Sequence, residues 1–377
     1  MTTTQIAPTR GARPLSFDID TFPVPQGTEE EWRFTPIERL EDFFETATGE
    51  GPHVSVTGGV RFETVGRDDE RLGTIMPPED RTSVMSWNSF DKAHIVTVPA
   101  NTVLDEEVIV NITGQGEDAV AAQHVLIDAQ PHSEATIVLN HTGSARLNQG
   151  VEIIVGEGAH LTFVSVQEFD DDAVFASSNR INVGRNATLK HIVVSLGGDL
   201  LRVTASLDYA GEGADVNMLG AYFVDAGQHI ENRLLLDHNV PNSTSNVTYK
   251  GALQGEDAHS VWIGDVLIRP EGEGTSTYEL NRNLILNEGP RADSVPNLEI
   301  ETGEIEGAGH ASTTGRFDDE QLFYLMSRGI PEVLARRLVV RGFFAELVQQ
   351  IGVKSVEDKL MEAIEHELDL TMGALDG

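Results

Sequence analysis

The sequence predicts a mainly β fold: a parallel β-helix, or solenoid, flanked by helical segments at both ends. Three observations point there. Short strand-like segments follow one another from about residue 95 to 312, among them EVIVNIT, HVLIDA, ATIVLNH, VEIIVG, HLTFVSVQE and LKHIVVSLG. A loose repeat then recurs along them, in which GEGAHLTF, GRNATLKH, GEGADVNM and GEDAHSVW each set a tight polar or Gly turn before an Ala and a strand. After Gly315 the hydrophobic period switches from two to that of a helix.

Taken in order, residues 1–28 read as a flexible arm carrying Pro and Thr, and residues 29–94 as a helical or mixed domain. Within the latter, Thr28 with Glu31 has capping-box spacing, and Trp32, Ile37, Leu40, Phe43 and Phe44 give an apolar face interrupted near Pro36. The solenoid is expected over 95–315. Its repeat alanines, 159, 187, 214 and 258 with a weaker copy at Ala135, lie 24, 28, 27 and 44 residues apart, the last taken as two periods of 22. A strand-containing period of this length suits one coil of a solenoid, with small residues letting coils stack. An antiparallel sandwich stays open, because strand-rich sequences show loose repeats readily.

Residues 316–377 form a helical unit. Asp318 is a suitable N-cap, Gly329 a C′ glycine, and Pro331 suits the first turn of the next helix, where its missing N–H costs nothing. In PEVLARRLVVRGFFAELVQQI, Leu334, Leu338, Phe344, Leu347 and Val348 make one face that Val339, Val340 and Phe343 widen. Such breadth predicts packing in a helix bundle and also against a partner. Leu334, Arg337, Leu338, Arg341, Phe343 and Phe344 are the candidate docking residues, with Arg336 completing a basic cluster on an otherwise acidic chain.

Composition excludes several functions. The chain has 377 residues and no cysteine, so it supplies no thiolate ligand, disulfide or Cys nucleophile. Its 61 acidic against 26 basic residues give a net charge of −35, the wrong sign for tracking phosphates, so no nucleic-acid partner is expected. No apolar run reaches 18 residues and no secretory h-region opens the chain, which predicts a cytoplasmic protein without a membrane span. No phosphate-binding G-x-x-x-x-G-K-[ST], H-E-x-x-H or G-x-S-x-G motif occurs. The one dense acidic cluster of the repeat region, EFDDDAVF at 168–175, is what a carbohydrate-active β-helix enzyme would use, but a solvated turn is the better reading of such a run. His310, between two glycines at the join of strands and helices, is the candidate metal contact.

The passages SVPNLEIETGEIEGAGHASTTGRFDDEQLFYLMSRGI and ARRLVVRGFFAEL, with EEEWRFTP near the N-terminus, resemble the SufB/SufD family of iron–sulfur cluster assembly proteins, on its SufD side. The resemblance implies a right-handed parallel β-helix that pairs with SufB, and C-terminal helices that dock the ATPase SufC, two copies of which enter the complex. It implies a scaffold rather than an enzyme. Family members often read Cys-x-His at the end of the β-helix; here the positions hold Ala308 and His310. His310 is then expected to contribute to iron or to a transient cluster shared with SufB, with no cofactor held by the chain alone. A homodimer in the absence of SufB is a further expectation. An independent iron-binding solenoid is the remaining alternative.

Overall fold

A strand of about ten residues, a tight turn and a second strand make the unit from which the fold is built. The computed structural model describes residues 13–375, and their side chains except those of residues 117, 319, 321 and 367–375. The N-terminal part contributes β1 (His53–Thr57), β2 (Arg61–Gly66) and helix α1 (Arg81–Ser89). The coils follow as β3 (Lys92–Val98), β4 (Val108–Thr113), β5 (Gly116–Ala129), β6 (Glu134–Gly143), β7 (Ala145–Val155), β8 (His160–Phe169), β9 (Val174–Val183) and β10 (Thr188–Ser195). They continue as β11 (Leu200–Tyr209), β12 (Asp215–Val224), β13 (His229–His238), β14 (Thr244–Leu253), β15 (His259–Ile268), β16 (Ser276–Ile285), β17 (Arg291–Ile300) and β18 (Gly307–Arg316). Helices α2 (Asp319–Ser327), α3 (Glu332–Ile351) and α4 (Lys354–Leu375) close the chain.

Successive strands alternate between two nine-stranded sheets. One runs β1-β4-β6-β8-β10-β12-β14-β16-β18 and the other β17-β15-β13-β11-β9-β7-β5-β3-β2. All pairings are parallel except β1 with β4 and β2 with β3, which are antiparallel and begin the stack. This is a parallel β-solenoid, as the sequence predicts, and the sandwich alternative falls. Its ladder begins earlier than residue 95, because β1 and β2 join it.

The repeat seen in the sequence is real but its phase needs correction. At one corner the chain takes positive φ at His132, Gly158, Asn186, Gly213, Asn242 and Gly274. Each is followed by a buried small residue: Ser133, Ala159, Ala187, Ala214, Ser243 and Thr275. These lie 26, 28, 27, 29 and 32 residues apart. Ala258 follows Asp257 at the opposite corner, before β15, so the spacing of 44 spans one and a half coils rather than two. The weaker copy at Ala135 is two residues out of step with Ser133. Backbone bonds between neighbouring corners, such as His132 N–H to Glu157 O at 2.9 Å and Gly158 N–H to Arg185 O at 2.9 Å, satisfy groups a turn would otherwise strand.

The main core fills the space between the sheets, from Val96 to Ile285. Both outer faces are also largely covered, so strands such as β9 and β11 are buried almost throughout and show no clean alternation. The outer face of the β2–β17 sheet carries Trp32 to Phe44, Leu72 and helix α1, while β1 and β2 between them belong to the sheets. The helix expected around Thr28 and Glu31 is absent. Instead the Glu29 carboxylate accepts the Gln26 and Thr28 N–H groups, and 3-10 turns at Ile37–Arg39 and Glu41–Phe44 seat Trp32, Leu40, Phe43 and Phe44 on Val120, Val174 and Leu200. Residues 1–12 of the expected N-terminal arm lie outside the described residues.

The opposite outer face carries the C-terminal helices, where a second correction arises. α3 was expected to pack in a bundle; its buried side, Val340, Phe344, Leu347 and Ile351, lies on Val164, Ile192, Val194, Leu219 and Ala221 of the solenoid wall. Burying Phe344 alone is worth roughly 1.5–3 kcal/mol. α4 adds Val356, Leu360 and Ile364 to the same layer.

Candidate functional site

Two regions hold the candidate residues, the last coil and the outer face of α2 and α3. In parallel register the inward-facing positions form columns along the solenoid axis. One column runs Val108, Ile137, Phe163, His191, Met218, Val247, Glu279 and ends at His310 on β18. His310 therefore sits on the last rung, directly after Glu279, and is exposed because no further coil covers it. Ala308 ends the neighbouring column, after Thr277. The backbone edges of β17 and β18 are the outermost of the two sheets at this end.

The interior becomes polar toward that end. β16 turns Thr277, Glu279, Asn281 and Asn283 inward, all buried, and β18 continues with Ala308, His310, Ser312 and Thr314. Most of the polar groups are satisfied. The Tyr222 hydroxyl donates to Asn283 Oδ1 at 2.6 Å and accepts from Asn281 Nδ2 at 2.9 Å, while Asn283 Nδ2 reaches Asn281 Oδ1 at 2.9 Å and Ser294 Oγ at 3.1 Å. Glu279 differs. Neither of its oxygens has a hydrogen-bond partner, and burial, reinforced by the charge of Asp265, pushes its carboxyl up to about 8. Sequence reasoning missed it because an acid inside a strand looks like any other surface Glu until the register is known.

The docking residues divide into two sets. Leu334 and Leu338 are exposed, and Val333 joins them. Phe344 is fully buried against the wall, and half-buried Phe343 packs on it edge to face, with the Lys250 ammonium 5.7 Å from the Phe343 ring. Arg341 pairs with Glu365 at 2.9 Å, tying α3 to α4, while Arg336 pairs with Glu332 at 3.0 Å and Arg337 is half-buried. The exposed patch is completed by residues of α2 that were not singled out: Phe323, 73% exposed, Tyr324 and Met326. The adjacent aromatics in DEQLFYLMSR were the available signal, since a nine-residue helix cannot bury Leu322, Phe323 and Tyr324 on one side. Asp318 caps α2 as expected, accepting the Glu320 N–H at 2.9 Å.

Three lysines hold the tail to the wall. Lys190 Nζ donates to the Gln350 and Ile351 carbonyls, at 3.0 and 3.3 Å, where α3 ends before Gly352 in the left-handed region. Lys250 Nζ donates to Phe343 O at 3.1 Å and pairs with Glu346 at 3.1 Å. Lys359 reaches Asn140 Oδ1 at 3.1 Å and pairs with Glu168.

The opposite face holds a buried ionic network that the sequence did not show. Arg202 pairs with Asp80 at 2.7 Å and with Glu231 at 3.4 Å and lies over the Trp32 ring at 4.0 Å. Glu231 also accepts from Thr35 Oγ1 at 2.7 Å and pairs with Arg233 at 3.3 Å and His229 at 3.3 Å. Burial works against the charge of Glu231, but His229 and the two guanidiniums outweigh it and hold the carboxyl below the usual range. These partners fasten Trp32, Thr35 and Asp80 to the wall, and Asp80, Arg202 and Arg233 also line an open cavity beside Arg13, Glu31 and Glu79. The acidic cluster is likewise structural in position: Asp170, Asp171 and Asp172 stand in the turn between β8 and β9, Ser144 Oγ donates to Asp172 at 2.7 Å, and Glu168 is taken by Lys359.

Among the described residues no three His, Asp or Glu side chains are arranged to hold a metal ion, and no helix is long and apolar enough to cross a membrane. An iron ion or cluster, as cargo, would find at the solenoid mouth the exposed imidazole of His310, a single donor that leaves the other positions to another molecule's ligands.

Comparison with known proteins decides the family. The SufBD core domain of the SUF system for FeS cluster assembly matches residues 111–343. The chain belongs to the SufBD family. An iron–sulfur cluster assembly SufBD family protein of Mycobacterium bovis is 50% identical over 376 residues, covering 97% of this chain and 95% of the relative. One of Mycobacterium leprae is 50% identical over 366 residues, covering 94% and 93%. The iron–sulfur cluster assembly protein SufD of Bacillus subtilis is 30% identical over 281 residues, covering 72% of this chain and 63% of its own length.

Proposed function

We propose that this SufBD family chain is a SufD-type scaffold subunit in iron–sulfur cluster assembly and not itself an enzyme. In this reading it works in the cytoplasm, pairs with SufB through the last coil of the solenoid, and docks SufC, two copies of which serve the complex, through α2 and α3. The carrying observation is the exposed apolar patch of Phe323, Tyr324, Met326, Val333, Leu334 and Leu338 on helices fixed to the solenoid wall. Large apolar side chains exposed together on two contacting helices mark a protein interface. The similarity to a relative named SufD supports the subunit type. The unpaired edges of β17 and β18 suit strand-to-strand pairing with a similar coil. His310, on that rung, would meet the partner's ligands and contribute to iron or a nascent cluster held transiently between subunits.

The lack of cysteine limits the role, because sulfur ligation must come from the neighbour. Co-expression with SufB and SufC from the same genome, followed by size and metal analysis, tests the reading. A stable complex containing all three chains is expected, with less iron when His310 is replaced by Ala. Failure of the chain to associate with either partner, or turnover of a polysaccharide by the purified chain alone, would overturn it.

A further inference from the structure

The last two coils contain one buried group that nothing described so far uses. Glu279 is 1% exposed, and both carboxylate oxygens lack a hydrogen-bond partner. Buried polar atoms are nearly always paired, so a bare carboxyl is costly. The Asn side chains of the same inward row cannot relieve it. Asn281 and Asn283 are engaged with each other, with Tyr222 and with Ser294. Across the interior, Glu279 Oε1 faces the Gly264 backbone and the benzo edge of Trp262; a Cβ built on Gly264 would lie 2.6 Å from that oxygen and 2.5 Å from the ring. The Trp262 Nε1–H and the Tyr249 hydroxyl are themselves without partners. The layer thus has polar capacity and no internal partner for the carboxyl.

What stands next to it is His310. The two are register partners on β16 and β18, on the same inward side, with strands spaced about 4.8 Å apart. That strand spacing suits one ion bridging side chains from two adjacent rungs. The two preceding positions of the column, Val247 and Met218, are apolar, so the imidazole–carboxylate pair occurs only where the column opens to solvent.

We propose that Glu279 and His310 together form a divalent-cation site in the mouth of the solenoid, with Glu279 as the second protein ligand. Imidazole plus carboxylate selects first-row divalent ions such as Fe²⁺, Mn²⁺ or Co²⁺, the remaining positions being filled by water or by a docked neighbour. The cation supplies the charge that the carboxyl lacks in the free interior. The inference rests on the reading of His310 as a ligand, adds a residue of this chain to it, and departs from the expectation that the chain alone holds no ion.

The test is a titration of the metal-free full chain with Co²⁺, read by its d–d absorption, and with Mn²⁺, read by loss of the free-ion EPR signal. The wild type should bind one ion, and E279Q and H310A should each weaken binding by on the order of tenfold or more. E279L, apolar and of similar volume, should fold at least as stably as the wild type and bind no ion, which separates loss of the ligand from loss of the fold. Equal affinity in E279Q and wild type overturns the inference, as does absence of binding to the wild type. Co-purification of SufB and SufC with wild type and E279Q is measured in parallel. Loss of partners from both would sink the scaffold reading and leave the ion titration to judge Glu279. Retained partners with an unaffected E279Q titration would sink the Glu279 site alone.

Discussion

The Tyr222 ring lies over Gly251, its register partner one coil on, so closely that a Cβ built on that glycine would stand 1.8 Å from the ring. The same device seats Tyr249 against Gly220, where the separation would be 2.0 Å. Neither glycine has positive φ, so the requirement is space rather than backbone freedom. G251A should therefore lower stability by roughly 3 kcal/mol or more, because Tyr222 is held at both ends of its hydroxyl and cannot swing aside. Urea denaturation measures it. The double variant G251A/Y222L should recover part of the loss, and strict additivity of the two changes would contradict the account.

His191 gives a prediction of opposite sign. It is fully buried in an apolar column, stacked on Phe163 at 5.3 Å, and neither ring nitrogen has a partner. Burial pushes its pKa down to about 4. The unfolded chain takes up a proton below its ordinary value of 6.5 while the folded chain does not, so stability falls as pH drops from about 6.5 to 4. H191L should stabilise the protein by about 1–2 kcal/mol at pH 7, and the gain should widen toward pH 4.5. A pH-independent difference in melting temperature would refute this cause.

Glu279 should show the reverse pH dependence. Its pKa is raised to about 8 by burial, so the folded state holds a proton that the unfolded state has released above about 4.5. Stability from this group is complete below that value and is lost as pH climbs toward 8, at a limit of about 1.4 kcal/mol per pH unit. E279Q should remove this slope. Parallel wild-type and E279Q stability curves between pH 5 and 8 would show that the carboxyl is not buried as described.

Glu231 holds the N-terminal segment to the solenoid directly through Thr35 and indirectly through Arg202, which pairs with Asp80, while Arg233 adds to its charge balance. E231A leaves two guanidiniums short of charge in a buried layer and should cost about 3–5 kcal/mol. Proteolysis is expected to cut first between residues 30 and 80, ahead of the coils. Unchanged protease resistance there would count against the network as the fastening.

The proposed partner surface is separable from the fold. F323D and L338D change exposed side chains, so melting temperature should shift little while SufC co-purification is lost. F344D should instead detach α3 from the wall and destabilise the C-terminal unit. If F323D and L338D retain SufC in full, the patch serves another purpose.

The sequence disclosed the solenoid because its corners demand small residues and positive φ, which Gly, Asn and Ala write plainly. It misplaced the phase at Ala258 because both corners of a coil make the same demand. Packing against the outer faces was the harder part. Strands buried on both sides lose their period of two, and α3 looks like a bundle helix whether its apolar side meets helices or a sheet. His310 was visible as a local oddity between glycines. Glu279 was invisible, because its neighbour is 31 residues away and only the rung-by-rung pairing brings them together.

The lysines that fasten the tail reach different coils: Lys190 lies on β10 and Lys250 on β14, while Lys359 touches β6 and β8. A tug on the outer helices is thereby shared across four rungs, and no single strand bears enough load to peel away. Load entering along α3 or α4 is spread over the same wall whose last rung, β18, stands uncovered.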